Sequence, residues 1–252
     1  MKMYFNSNKK QPNNLEKSTP KPKSNTNTIC FNKNMNYYIC SSGGCGSTLL
    51  SKYLSNFGNV YHIHDRYPPE KLCYIGNENT TEDVYSEWFN KTEIPEEKLQ
   101  SYKVIFIYRN PIQVIFSRCI TPRGPYVEHL KHIQCNNNGM IGLGDLLNTG
   151  LDLYGLEEFY DNYTIPKNRN YKIYAVKYES FFENISLFNK VIGIPDIKEL
   201  YPVKHERNKQ LTHLQELSTI YYKLIMKMKS MPFIQVINPK PNASSENEII
   251  ET

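Results

Sequence analysis

The chain has 252 residues, 39% hydrophobic and 22% charged, with a formal net charge of +5; this is enough for one sizeable α/β domain, and the mild positive balance suits an anionic ligand but not nucleic acid. No run comes near the ~18 apolar residues of a membrane-spanning helix, and residues 1–5 pass straight into polar sequence, so neither membrane insertion nor a secretory signal is expected and a cytoplasmic location is. Cys30, Cys40, Cys45, Cys73, Cys119 and Cys135 include no C-x-x-C pair, which argues against a zinc site or a disulfide framework.

Residues 1–35 are dominated by Asn, Lys, Ser, Pro and Thr, and residues 238–252 are similar. Neither stretch carries enough apolar surface to offset the entropy of ordering it, so both read as disordered tails around an α/β domain at 36–237. The first strand is predicted at 36–41 and runs into Ser41-Ser42-Gly43-Gly44-Cys45-Gly46. Leu49, Leu50, Tyr53, Leu54 and Phe57 then recur at helical spacing, Gly58 closes that helix, and a second strand follows at 60–64. This βαβ order predicts a parallel sheet. Residues 104–108 form a continuous apolar run, as in a strand covered on both faces. Asn110 serves as N-cap and Pro111 as first residue of a helix reaching about residue 120. A helix at 145–160, a strand at 171–176, a short helix at 187–192 and a long helix at 211–228 complete the pattern. The fold class is α/β, a three-layer sandwich with a central parallel sheet.

Two windows carry chemistry. In Gly43-Gly44-Cys45-Gly46-Ser47-Thr48, small residues between a strand and a helix let backbone N–H groups close around a phosphate at the positive end of the helix dipole. A tight glycine turn with no ligand is the alternative. The loop has no Lys before Ser47, and the strand at 104–108 ends in Arg109 rather than an acidic residue, which disfavours a metal-nucleotide hydrolase or a P-loop kinase-like phosphotransferase. In the second window, Arg109 leaves the C-terminal end of a strand, and Ser117 lies two turns into the next helix. A guanidinium and a hydroxyl placed there share a terminal phosphate, the planar fork of Arg being suited to it. A surface Arg beside a helix-facing Ser is the alternative.

Together the windows resemble the P-loop-like sulfotransferase superfamily, over roughly residues 37–194 and most strongly in the two windows themselves. The resemblance implies a P-loop NTPase-like sulfotransferase fold and 3'-phosphoadenosine 5'-phosphosulfate as donor. It further implies sulfonate transfer to a hydroxyl or amine of a carbohydrate or protein acceptor, without a metal. Family members hold the 5'-phosphosulfate on the first motif, matched here by Gly46, Ser47 and Thr48 with Gly43, Gly44 and Cys45 before them. They hold the 3'-phosphate on an Arg and a Ser eight positions on, matched by Arg109 and Ser117. The run Val176-Lys177-Tyr178-Glu179 is similar to the family's strand followed by Tyr-Glu.

The chain departs from the pattern at Gly44, where the family carries Lys or Arg on the bridging oxygen and sulfonate. That charge stabilises the leaving phosphate, so either Lys52, Arg66 or Arg118 takes over or the protein binds the donor without turnover. Gly44→Lys is expected to raise affinity or turnover. The basic stretch at 203–209 falls where cytosolic members cover the donor. The acceptor's proton also needs a base. Strand alternation puts His62 and His64 on one face at the end of the second strand. Other branches of the family have a catalytic Glu or His in this region, so His64 is the first candidate, with His62 and Asp65 behind it. A hydrogen-bonded structural role is the alternative for each.

Overall fold

The computed structural model describes residues 34–75, 92–118, 141–204 and 212–240. The predicted N-terminal tail, apart from Asn34 and Met35, lies outside them, as does the C-terminal tail beyond Lys240. Among the described residues five strands form one sheet: β1 (Asn36–Cys40), β2 (Asn59–Ile63), β3 (Tyr102–Tyr108), β4 (Ile173–Lys177) and β5 (Ile234–Ile237), in the order β2-β1-β3-β4-β5. The first three pairings are parallel and β4 with β5 is antiparallel. The sheet is therefore mostly rather than wholly parallel. Its antiparallel edge strand, Ile-Gln-Val-Ile after Met231-Pro232-Phe233, is too short and too close to the preceding helix for periodicity to announce it.

β3 is a run of β-branched and aromatic residues buried from Val104 to Tyr108, as a central parallel strand covered on both faces requires. Phe106 points to one face and stacks on Tyr163, with ring centroids 4.6 Å apart and planes 15° from parallel. Phe159 continues the stack against both rings. These two residues belong to α4 (Leu156–Thr164), which covers that face. Tyr37, on the opposite face, meets the turn that follows α1 (Ser47–Leu54), where Gly58 fits because a Cβ there would stand 2.4 Å from the Met35 carbonyl oxygen and 2.8 Å from the Tyr37 ring. α1 is joined by α5 (Ile185–Ile192) through the Tyr53 hydroxyl, which donates to Asn189 Oδ1 at 2.8 Å. Helices thus lie on both faces of the sheet, making three layers.

α2 (Pro111–Arg118) opens as predicted, with the Ile112 N–H donating to Asn110 Oδ1 at 3.0 Å. The helix predicted at 145–160 is instead two helices, α3 (Leu143–Thr149) and α4. Gly150 (φ 67°) and Gly155 (φ 60°) adopt the left-handed conformation and break it. At Gly155 a side chain would also strike the Arg66 guanidinium, 2.2 Å from the place of its Cβ. The long helix predicted at 211–228 becomes α6 (Leu214–Ile220) and α7 (Tyr222–Ser230), divided at Tyr221 (φ −98°, ψ 14°); residue 211 lies outside the described residues. Lys227 of α7 clamps this segment to α4 through Glu157 and Asp161. Among the described residues no helix is long and apolar enough to cross a membrane.

The stack beneath β3 gives a direct stability prediction. Phe159 is 1% exposed, so Phe159→Ala opens a cavity beneath the sheet. It is expected to lower unfolding free energy by about 3–5 kcal/mol, read as a shifted denaturation midpoint at unchanged m-value.

Candidate functional site

Because β1 lies between β2 and β3, the chain leaves β1 to one side and later returns on the other. The loops that follow β1 and β3 therefore emerge side by side at the carboxyl edge, at the switch point where open α/β sheets place ligands. The register sets Cys40 beside Phe106, so the glycine loop and Arg109 leave the sheet together.

The loop is built by its own short-range bonds. Ser41 Oγ accepts from the Gly43 N–H at 3.2 Å, and Cys45 Sγ donates to the Gly43 carbonyl at 3.1 Å. Gly43, Gly44 and Gly46 all have positive φ, at 79°, 66° and 86°, a conformation that L side chains resist. α1 has no side-chain N-cap, leaving its first N–H groups for a ligand. Ser47 is buried while Thr48 is exposed at the helix start. Cys45 is fully buried, and burial pushes its thiol up to about 11, so it remains protonated at neutral pH.

Two neighbours press on the loop backbone. The ring of Tyr178 lies against Gly46, where a Cβ would be 2.2 Å from its Cε2. The Arg109 guanidinium lies over the Tyr178 ring, 4.7 Å from its centroid, a cation–π contact. Arg109 also donates through Nη1 to the Gly44 carbonyl at 3.4 Å and through Nη2 to Gln113 Oε1 at 3.5 Å. The Asn110 N–H donates to Glu179 Oε1 at 2.7 Å, latching the β3 and β4 loops together. On the other side, Gly44 packs on the end of α2: a Cβ there would lie 3.0 Å from Ser117 Cβ and 3.3 Å from Arg118 Cγ.

These parts enclose an open cleft of about 570 Å³ lined by Gly44, Gly46, Ser47, Thr48, Arg109 and Ser117, with Lys52, Gln113, Arg118 and Tyr178. Both sequence windows therefore meet in one site. Its apolar lining is Leu49 and Tyr53 of α1 with Leu200, Pro202 and Val203, of which no sequence pattern marked Leu200 and Pro202. Among the described residues, Lys52, Arg109 and Arg118 give the lining three cations, and none of the lining residues is acidic. Of the basic stretch at 203–209, only Val203 and Lys204 are described; Val203 is on the cleft rim and Lys204 lines an adjoining hollow.

Asp196 ties the segment carrying Leu200, Pro202 and Val203 to α1. It accepts from Ser186 Oγ at 2.9 Å, from Asn189 Nδ2 at 2.7 Å and from the Tyr201 hydroxyl. Asn189 in turn holds Tyr53. These donors, Tyr201 first, keep the Asp196 carboxyl below the usual carboxylate range.

The residues after β2 occupy a different place. His64 has no exposed surface, and its Nδ1 donates to the Ser41 carbonyl at 2.6 Å, holding the start of the loop. His62 stacks at a tilt on His64, with centroids 4.5 Å apart. Asp65 accepts the Tyr67 N–H at 2.9 Å. None of the three lines the cleft. Arg66, 3% exposed, is held by Glu158 at 2.9 Å and by the Tyr154 carbonyl at 2.7 Å, so of the three candidate cations only Lys52 and Arg118 reach the cleft. Among the described residues no cluster of His, Cys, Asp or Glu is arranged to hold a metal ion.

No protein-family model matches the chain, and no curated protein and no solved structure does.

Two predictions follow from this geometry. The expectation that Gly44→Lys improves binding is reversed: φ of 66° and the contact with Ser117 Cβ make any side chain there strained. Gly44→Lys should lower the thermal midpoint and distort the loop, by about 1–3 kcal/mol, measured by calorimetry. The second concerns Asp196. A depressed carboxyl pKa contributes stability above the unfolded value, about 3.9, and loses it as pH falls through the folded value. Asp196→Asn should therefore be less stable than wild type at pH 7, and the gap should close as the pH is taken down through and below that range, in paired denaturation curves.

Proposed function

We propose that the cleft binds 3'-phosphoadenosine 5'-phosphosulfate and that the protein is a sulfotransferase of the P-loop NTPase-like fold. The observation that carries this reading is a single cleft in which the open N-terminus of α1 faces Arg109, Ser117, Lys52 and Arg118, with no carboxylate among the described residues of the lining. A ligand with phosphate at both ends and an apolar body between matches that distribution. Arg109 and Ser117 would take the 3'-phosphate, and the loop from Gly43 to Thr48 the 5'-phosphosulfate. Leu49, Leu200, Pro202 and Val203 offer the purine an apolar wall.

In the proposed reaction, an acceptor hydroxyl or amine attacks sulfur in line and forms the new bond to it. The bond from sulfur to the 5'-phosphate oxygen breaks, adenosine 3',5'-bisphosphate leaves, and the acceptor's proton passes to a base. Charge grows on the leaving phosphate, where the helix N-terminus and the cleft cations stabilise it. A lining without acidic side chains among its described residues supports a route that needs no divalent ion and disfavours a kinase-like one. His64, bonded to the Ser41 carbonyl, supports the loop in this scheme. Gly44 favours a second reading, a nucleotide-binding protein of the same fold without turnover, since the loop itself carries no cation; that protein binds the bisphosphate and transfers sulfonate to none of a panel of carbohydrate and peptide acceptors.

The test is calorimetric titration with adenosine 3',5'-bisphosphate, beside ATP with Mg²⁺. Wild type should bind the bisphosphate selectively. Arg109→Ala should weaken it by about 1.5–3 kcal/mol, roughly tenfold to hundredfold, with an unchanged circular dichroism spectrum. Equal binding by the variant would refute the 3'-phosphate assignment, and preference for Mg²⁺-ATP would refute the donor.

A further inference from the structure

We propose that Arg118 supplies, from the end of α2, the positive charge that the glycine loop lacks, and that it binds the 5'-phosphosulfate end of the donor. This rests on the sulfotransferase reading above and selects, from the three cations that the sequence offers for that charge, the one whose position fits the loop. At Gly44 the backbone is left-handed, and the space a side chain would fill is already taken: Ser117 Cβ stands 3.0 Å and Arg118 Cγ 3.3 Å from the place of a Cβ. A cation on the loop itself is thus sterically replaced by the stem of Arg118, which runs past the Gly44 peptide into the cleft.

The alternatives fall away on position. Arg66 is locked to Glu158 and the Tyr154 carbonyl outside the cleft. Lys52 lies five residues beyond Ser47 on α1, about 7.5 Å farther along the axis at 1.5 Å per residue, away from the N–H groups that open the helix. Arg109 is bonded to the Gly44 carbonyl and held over Tyr178. Arg118 packs its stem on Gly44 while Arg109 bonds the Gly44 carbonyl. Both charges are felt at neighbouring Cys45, where each favours the thiolate against the larger effect of burial. Arg is suited to this remote placement, because a long stem packs on the backbone while the planar fork reaches two phosphate oxygens at once.

The two arginines then divide the donor between them, and ligands with one phosphate removed separate their roles. Wild type, Arg118→Ala, Arg118→Lys and Arg109→Ala are titrated with adenosine 3',5'-bisphosphate and with adenosine 3'-monophosphate at one fixed salt concentration. Wild type is expected to bind the bisphosphate more tightly. Arg118→Ala should lose about tenfold or more for the bisphosphate and stay within about threefold for the 3'-monophosphate, while Arg118→Lys recovers part of the loss. Arg109→Ala should lose both ligands. Equal weakening of both ligands by Arg118→Ala, or no weakening of either, overturns the assignment to the 5' end while leaving the donor site standing. Failure of wild type to bind either ligand overturns the sulfotransferase reading and this proposal with it. If Arg118→Ala does not fold by circular dichroism, Arg118→Gln carries the same comparison.

Discussion

The parallel pairing of β1 with β3, Cys40 beside Phe106, is the constraint on which the rest of the site depends. It fixes where two distant stretches of chain leave the sheet. A slip of one residue would turn Phe106 away from Tyr163 and Phe159 and point the Arg109 end elsewhere, because side chains alternate strictly between faces. The aromatic stack and the site are therefore set by one register. The apolar cost of misalignment protects the geometry of the polar residues above it.

Above that register the site is assembled by close backbone packing rather than by long side chains. Gly46 lies under Tyr178, and Gly44 lies against Ser117 and Arg118. Each glycine lets another element approach the loop by the width of a missing Cβ. Tyr178 is then shared, touching the loop on one side and carrying the Arg109 guanidinium on its face. The result gathers Lys52, Arg109 and Arg118 along a cleft at the N-terminus of α1, an arrangement whose self-repulsion an anionic ligand relieves.

The buried polar groups next to the site serve a different purpose. His64, His62, Asp65 and Arg66 are all under a tenth exposed; His64, Asp65 and Arg66 hold backbone carbonyls and N–H groups of the loops around them, and His62 packs on His64. Arg66 secures the turn between α3 and α4, where Gly155 gives way to its guanidinium. A histidine whose donor nitrogen is bonded to the Ser41 carbonyl steadies the first residue of the loop, one step removed from any ligand. The Asp196 network does the same for the opposite wall.

The residue pattern alone determined the βαβ start, the buried β3 run, the cap at Asn110 and both windows of the cleft, since each depends on neighbours within a few positions. Local sequence also contains Gly150 and Gly155, yet apolar spacing at 145–160 outweighed them until the fold showed both in the left-handed conformation. β5 leaves no mark in the sequence because four residues carry little periodicity and its partner, β4, lies some sixty positions earlier. Only the tertiary structure decided which cations share the cleft, that His64 faces the loop's carbonyl rather than the cavity, and that Leu200 to Val203 form its far wall. Those outcomes depend on contacts between residues separated by tens of positions, and such contacts follow from strand order and packing rather than from any property of the residues taken one at a time.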